Sequence, residues 1–212
     1  MQKKSYSTRA ERLQFSLPQN LKDILVGLAL GDLFINKQKK GVNVRLEFTQ
    51  GLLHIEYIQH LFELFIDYCG MGPQTPSVSP DKRTGKIYGV VRFTTFTLPC
   101  FNELYNLFYV DGKKIVPSNI GELLTLHGLA YWICDDGSFE KKTRGVILNT
   151  QGFTKEEVEL LAKTLNDKWD LKCTLNHSRD AFIIRISTKA LPVLQNLLAP
   201  IMPSMMLHKI GL

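Results

Sequence analysis

The stretch Ile24-Leu25-Val26-Gly27-Leu28-Ala29-Leu30-Gly31-Asp32 is apolar and small-residue-rich until its last residue. Leu129-Ala130-Tyr131-Trp132-Ile133-Cys134-Asp135-Asp136-Gly137 repeats the pattern, and Asp136 follows Asp32 by 104 residues. A surface helix carries one apolar stripe; these segments are apolar all round, which predicts two buried helices. Each delivers a carboxylate where the apolar run stops. The C-terminal end of a helix carries partial negative charge from its free carbonyls, so an acidic group there needs a cation or a hydrogen-bond donor to offset it. A divalent metal ion is the simplest such group.

The surroundings of the two segments are also written twice, which changes the reading of the whole chain. After Asp32 comes an alternating stretch, Val42 to Gly51, then a helical pattern from Leu53 to Tyr68. After Asp136 comes Gly145 to Gly152, then Thr154 to Trp169, so that Thr49-Gln50-Gly51 matches Thr150-Gln151-Gly152. Further on, Val90-Val91-Arg92-Phe93-Thr94-Thr95 with Leu98-Pro99 is answered by Ile183-Ile184-Arg185-Ile186-Ser187-Thr188 with Leu191-Pro192. Each half therefore reads helix, strands, helix, strand, helix.

Val44, Leu46 and Phe48 alternate with Arg45, Glu47 and Thr49, and Leu171, Cys173 and Leu175 alternate with Lys172, Thr174 and Asn176. Period-two alternation predicts sheets with one buried and one polar face. Thr154 with Glu157 three residues on is a capping-box start. Lys37 to Gly41 and Met71 to Lys86 read as loops, and Pro117 to Glu122 as the joint between halves. Gly27 and Gly31, and Ala130 and Cys134, are small residues four apart; with the duplication, they predict that the two motif helices pack on each other.

Composition sets the class. In 212 residues, 44% are apolar and 22% charged, which fits one large folded domain or two small ones sharing a core. A net charge of +6 and a pI of about 9.1 favour a polyanionic partner such as nucleic acid without identifying one. The four cysteines, Cys69, Cys100, Cys134 and Cys173, are scattered singly, which points to neither disulfides nor zinc but to small buried hydrophobes in a reducing compartment. No apolar run is long enough to cross a bilayer, and the basic start from Met1 to Arg12 has no following apolar region of a secretory signal. Lys3, Lys4, Arg9 and Arg12 with Ser5, Ser7 and Thr8 are compatible with a transit peptide, interrupted by Glu11.

An aspartate beside a glycine ordinarily caps a turn or meets a surface arginine. Two at matching places in duplicated halves would be brought together by pseudo-two-fold symmetry, where carboxylates repel unless protonated or bridged by metal. Oxygen-only ligands suit Mg²⁺ or Ca²⁺, and Mg²⁺ takes one or two protein carboxylates with water and phosphate completing its shell. Asp135 has Gly31 in place of an acidic counterpart and reads as a solvated or structural neighbour.

Leu25 to Leu33 and Leu129 to Gly137 resemble the paired nine-residue motifs of the LAGLIDADG homing endonucleases, in the single-chain, two-repeat form of organelle introns. Asp32 and Asp136 fall on the penultimate acidic position, and the similarity runs on through Asn106-Leu107-Phe108, Lys113 to Pro117 and Leu148-Asn149-Thr150-Gln151. Leu33 replaces the last glycine of the first motif, and Tyr131 and Trp132 stand where the family name has glycine and leucine.

The resemblance implies an α+β fold of two pseudo-symmetric αββαββα repeats, with central paired helices and two antiparallel DNA-binding sheets forming a saddle. Its divisions would be a basic tail over 1–15, repeats over 16–116 and 125–212, and a linker over 117–124. The exposed strand faces would present Arg45, Glu47, Thr49, Lys86, Tyr88, Arg92, Lys172, Thr174, Asn176 and Arg185 to a major groove wide enough for a β-ribbon. The resemblance also implies metal-holding roles for Asp32 and Asp136, electrostatic roles for Lys114 and Lys209, and water-arranging roles for Gln50 and Gln151.

The implied activity is Mg²⁺-dependent hydrolysis of one phosphodiester in each strand of a long asymmetric double-stranded DNA target. Mn²⁺ would substitute, and Ca²⁺ would bind without supporting cleavage. Staggered cuts across the minor groove would leave short 3′ overhangs. The protein would be a monomer in a mitochondrion or, alternatively, a chloroplast. An intron RNA maturase and a transcription regulator of the same fold are the rival readings.

Overall fold

The computed structural model describes residues 8–212, so Lys3, Lys4, Ser5 and Ser7 of the basic start lie outside the described residues. In chain order the helices and strands are α1 (Arg9–Leu13), α2 (Gln19–Leu30), β1 (Phe34–Lys37), β2 (Val44–Gly51), α3 (Ile55–Leu64), β3 (Val90–Thr94), α4 (Asn102–Phe108), β4 (Tyr109–Val110) and β5 (Lys113–Lys114). The second half adds α5 (Ile120–Leu123), α6 (Leu126–Asp136), β6 (Gly137–Glu140), β7 (Gly145–Leu148), α7 (Lys155–Trp169), β8 (Thr174–Ser178), β9 (Ala181–Ile186) and α8 (Leu191–Leu198). The chain forms two compact units: residues 8–17 with Asp32–Tyr105, and Pro18–Gly31 with Asn106–Leu212. The contacts thus group α2, the first motif helix, with the second half of the chain.

In the first unit β1, β2 and β3 make an antiparallel sheet in that order. The alternating apolar residues do what period two requires: Ile35 pairs with Leu46 and Phe48 with Phe93, and all four are buried. The Phe48 and Phe93 rings stack at 4.4 Å, and Phe62 of α3 meets Phe93 edge-on at 5.4 Å. The Thr95 hydroxyl, buried at the sheet edge, accepts from Leu46 N at 3.0 Å and donates to Phe96 O at 2.9 Å. A fourth strand is reduced to one bridge between Gln74 and Arg92. Pro73, Pro76 and Pro80 deny that segment the backbone donors a longer ladder would use.

The second unit carries a four-stranded antiparallel sheet, ordered β6-β7-β9-β8, and a two-stranded ribbon, β4-β5, turned by Asp111 and Gly112 at positive φ. α7 opens on the expected capping box, with Thr154 Oγ1 accepting from Glu157 N and Thr154 N donating to Glu157 Oε2. Its inner face, Val158, Leu161 and Leu165, is fully buried. Residues 117–124 are packed, with Ile120 and Leu124 inaccessible and Val116 N donating to Glu157 Oε1 at 2.9 Å. β8 begins at Thr174 rather than at Leu171, because Asp170 and Lys172 adopt φ of 51° and 52° and interrupt the extended backbone.

Within this unit α2 packs along α6. A Cβ placed on Gly27 would lie 1.8 Å from Gly128 O, so the contact needs a glycine there. The small-residue spacing points to Ala130 and Cys134 of α6; both are buried, but the close backbone approach falls on Gly128. No described helix is long and apolar enough to cross a membrane.

Candidate catalytic carboxylates and nucleic-acid interface

α2 ends at Gly31, whose N–H donates to Gly27 O at 3.1 Å, and Asp32 follows directly, with an exposed side chain. Gln50, on β2, donates from Nε2 to Asp32 Oδ2 at 3.2 Å. Lys114, on β5, donates from Nζ to Gly31 O at 2.8 Å. A cation therefore sits on the terminal carbonyl, where the helix field is most negative.

α6 ends on Asp136 itself, half-buried, whose backbone carbonyl accepts from Asn149 N at 3.0 Å and Asn149 Nδ2 at 2.8 Å. Lys209 donates from Nζ to Asp135 O at 3.4 Å. Lys114 and Lys209 thus each meet the carbonyl one residue before a motif aspartate. His208, beside Lys209, is exposed and turns its Nδ1 to Met205 O at 3.0 Å.

Asp135 is a structural neighbour: a Cβ on Gly31 would lie 2.6 Å from both Cβ and Oδ2 of Asp135. Equivalent motif positions hold glycine in one repeat and aspartate in the other, and the side chain of one fills the space the other leaves. Burial pushes the Tyr131 phenol of α6 above its ordinary range and the Cys173 thiol up to about 12, so Cys173 stays a protonated core residue.

Strand register corrects the equivalence of the two Thr-Gln-Gly segments. Counting from each motif aspartate, Phe34 pairs with Glu47 and Ser138 pairs with Ile147, so Glu47 and Ile147 are equivalent. Thr49 then corresponds to Asn149, Gln50 to Thr150 and Gly51 to Gln151. A one-residue slip changes the face on which a strand side chain emerges. Gln151 accordingly meets Asn149 Oδ1 at 3.3 Å, while Thr150 is buried and donates to Phe182 O at 2.8 Å. By the same register Arg185 corresponds to Thr94 and not to Arg92, a two-residue shift that keeps it on the same face.

On the polar face of the first sheet, Arg45 and Glu47 of β2 form an ion pair at 2.7 Å, and exposed Thr49 pairs with exposed Arg92. On the second, Arg185 lies between Ile147 and Thr174, with Glu140 Oε2 at 3.8 Å, and the exposed Thr174 hydroxyl meets Asn176 Oδ1 at 3.4 Å. Lys86, Tyr88 and Lys172 do not stand on strands. Lys86 and Tyr88 belong to the exposed loop before β3, whose turn is held by Asp81, and Lys172 precedes β8, paired with Asp170 at 2.5 Å.

The LAGLIDADG DNA endonuclease family model matches residues 22–194. The chain belongs to this family. It is 30% identical over 208 residues to the cytochrome b mRNA maturase bI2 of Debaryomyces hansenii, covering 96% of this chain and 79% of the relative. It is 34% identical over 190 residues to a probable intron-encoded endonuclease 1 of Wickerhamomyces canadensis, covering 86% and 80%. Among solved structures, the homing endonuclease I-WcaI bound to its DNA recognition sequence matches with a TM-score of 0.89 at 28% identity, over 97% of this chain and 94% of that one. The α+β fold with two antiparallel sheets is the LAGLIDADG fold.

Proposed function

We propose that the chain is a site-specific double-strand DNA endonuclease, a homing endonuclease of an organelle intron that acts as a monomer on a long asymmetric target. The observation that carries this reading is the repeated terminal arrangement: an aspartate at the end of a buried helix, with a lysine on the preceding carbonyl, in both repeats. A protein that only held a polyanion would gain nothing from two carboxylates turned to it.

Asp32 and Asp136 are the metal-holding residues of this proposal, one for each DNA strand. Among the described residues no group of three or more His, Cys, Asp or Glu is arranged to hold a metal. Single carboxylates with oxygen donors fit Mg²⁺, which keeps water and phosphate oxygens in its shell; Mn²⁺ fits the same donors. When bound, the ion neutralises charge on the attacking and leaving oxygens and orients the nucleophilic water. Gln50 fixes the Asp32 carboxylate through its hydrogen bond. Lys114 and Lys209 place positive charge on the carbonyls that precede the two aspartates, and in this proposal that charge stabilises a phosphate gaining negative charge. The two polar sheet faces supply the DNA contacts.

The test is cleavage of DNA spanning the chain's own intron insertion site, with Mg²⁺, Mn²⁺, Ca²⁺ or chelator, beside Asp136→Asn. Double-strand cleavage with Mg²⁺ or Mn²⁺ that the variant loses supports the reading, and equal cleavage by both proteins sinks it. Intron RNA binding is a second reading, favoured by the maturase relative; it predicts retention of the intron transcript by Asp136→Asn as by the parent.

A further inference from the structure

The polar face of the first sheet holds a side-chain network that the folding of the sheet does not need. Arg45 and Glu47 stand two apart on β2 and so emerge on the same face, with Asn36 of β1 directly opposite Arg45. Glu47 Oε1 accepts from Arg45 Nε at 2.8 Å, Arg45 Nη2 at 2.7 Å and Asn36 Nδ2 at 2.7 Å. The Arg45 side chain is 36% exposed and that of Glu47 26%. An ion pair this open to water contributes little to stability, because it is screened and must hold two long side chains in one geometry. What the network does fix is the plane and direction of a guanidinium on the face offered to DNA.

We propose that Arg45 reads a guanine in the major groove, and that Glu47, itself held by Asn36, is the positioning residue that sets the angle of reading. This rests on the DNA-binding role given to the sheet above. Arginine carries five N–H donors, of which two go to Glu47, leaving enough for the bidentate contact to O6 and N7 by which guanine is told from other bases. A guanidinium held in advance loses less freedom on binding than a mobile one. Glu47 also keeps Arg45 from settling on a phosphate, since the carboxylate at its side repels one.

The second sheet has no copy of this device at the equivalent place. Register puts Gly145 where Arg45 stands and Ile147 where Glu47 stands, and its own pair, Arg185 with Glu140, draws on β9 and β6. The guanine contact therefore belongs to one half of the target.

The test puts the full chain, Arg45→Ala, Arg45→Lys and Glu47→Gln through binding selection on a randomised duplex DNA library, read as base frequency at each position. The parent enriches guanine at a position that Arg45→Ala randomises, a preference change of roughly 5- to 150-fold. Arg45→Lys keeps the charge and loses the fork, so it retains binding and relaxes that position. Glu47→Gln relaxes the same position and no other. Placing 7-deazaguanine there, which removes the N7 acceptor, weakens the parent and leaves Arg45→Ala unaffected.

Thermal melting at the parental temperature shows each variant folded; if Arg45→Ala melts lower, Arg45→Lys carries the comparison. Equal loss of binding to all sequences by Arg45→Ala would make Arg45 a phosphate contact and overturn the proposal. A change at a different position in Glu47→Gln would make Glu47 a direct reader and overturn its positioning role. If the parent enriches no position at all, the site-specific endonuclease reading fails with it; an enriched motif that ignores all three variants overturns only the inference about Arg45.

Discussion

The two sheets agree where they face their cores and differ where they face outward. Register equates Leu46 with Val146, Phe48 with Leu148 and Phe93 with Ile184, and all six are buried. On the polar faces the same register sets Arg45 against Gly145, Glu47 against Ile147 and Thr94 against Arg185. Packing constrains the inner residues because a core tolerates few changes of volume. Nothing comparable constrains the outer ones, so after a duplication they are free to diverge. An asymmetric pair of faces is what a monomer needs to read an asymmetric DNA sequence.

The largest effect is expected in the core rather than on the outward faces, at the backbone contact of Gly27 with Gly128, which leaves no room for a side chain. Gly27→Ala would drive a methyl group into a peptide carbonyl and should cost about 3 kcal/mol or more. Gly152→Ala, where a new Cβ meets nothing within 4 Å, should leave stability unchanged within about 0.5 kcal/mol. Urea denaturation of both variants measures the contrast, and equal midpoints would mean that α2 and α6 do not need this contact.

The next effect separates the two motif aspartates. Asp32→Asn and Asp136→Asn should each lower double-strand cleavage on the order of 100-fold, the scale of losing one preorganised electrostatic group. Each should leave nicks, in opposite strands of the target. Nicks by both variants in the same strand would break the assignment of one carboxylate to each strand.

A smaller effect distinguishes the sheet-covering helices. α3 begins without a side-chain capping bond, whereas Glu157 of α7 serves Thr154 N and Val116 N together. Removing it with Glu157→Ala strands two backbone donors and should cost about 2 kcal/mol, against about 1 kcal/mol for Thr154→Ala. Chemical denaturation checks the order, and a Thr154→Ala cost equal to that of Glu157→Ala would mean that the bond to Val116 contributes nothing.

Much of this was legible in the sequence because two periodicities survive duplication. Alternation fixes the buried face of β2, and the apolar runs mark α2 and α6, whatever the rest of each repeat does. The Thr154 and Glu157 pair names a helix start by its own chemistry. Other features depend on position rather than residue type. Lys86 ends a stretch that reads as a loop in the sequence, whereas the family resemblance sets it and Tyr88 on a strand face; a turn held by Asp81 keeps both off the ladder. Gly128 is unremarkable until Gly27 is set against it. Lys114 and Lys209 stand out through family resemblance alone; no spacing in the chain announces that each reaches the carbonyl before an aspartate.

The one-residue slip between the Thr-Gln-Gly segments gives the finest test, because it separates residue identity from place in the hydrogen-bond ladder. If identity mattered, Gln50→Ala and Gln151→Ala would impair cleavage alike. Register predicts otherwise. Gln50 holds the Asp32 carboxylate, and losing such an orienting bond should slow cleavage about tenfold, the low end of what outer-shell groups contribute at metal sites. Gln151 is exposed and, among the described residues, its side chain bonds its near neighbour Asn149, so Gln151→Ala should stay within about twofold of the parent. Single-turnover cleavage resolves the difference, and following each strand separately sharpens it: the Gln50→Ala defect should fall on the strand that Asp32→Asn protects. Equal defects in the two variants, each on its own strand, would restore the equivalence of Gln50 with Gln151 and show that register is not what assigns their roles.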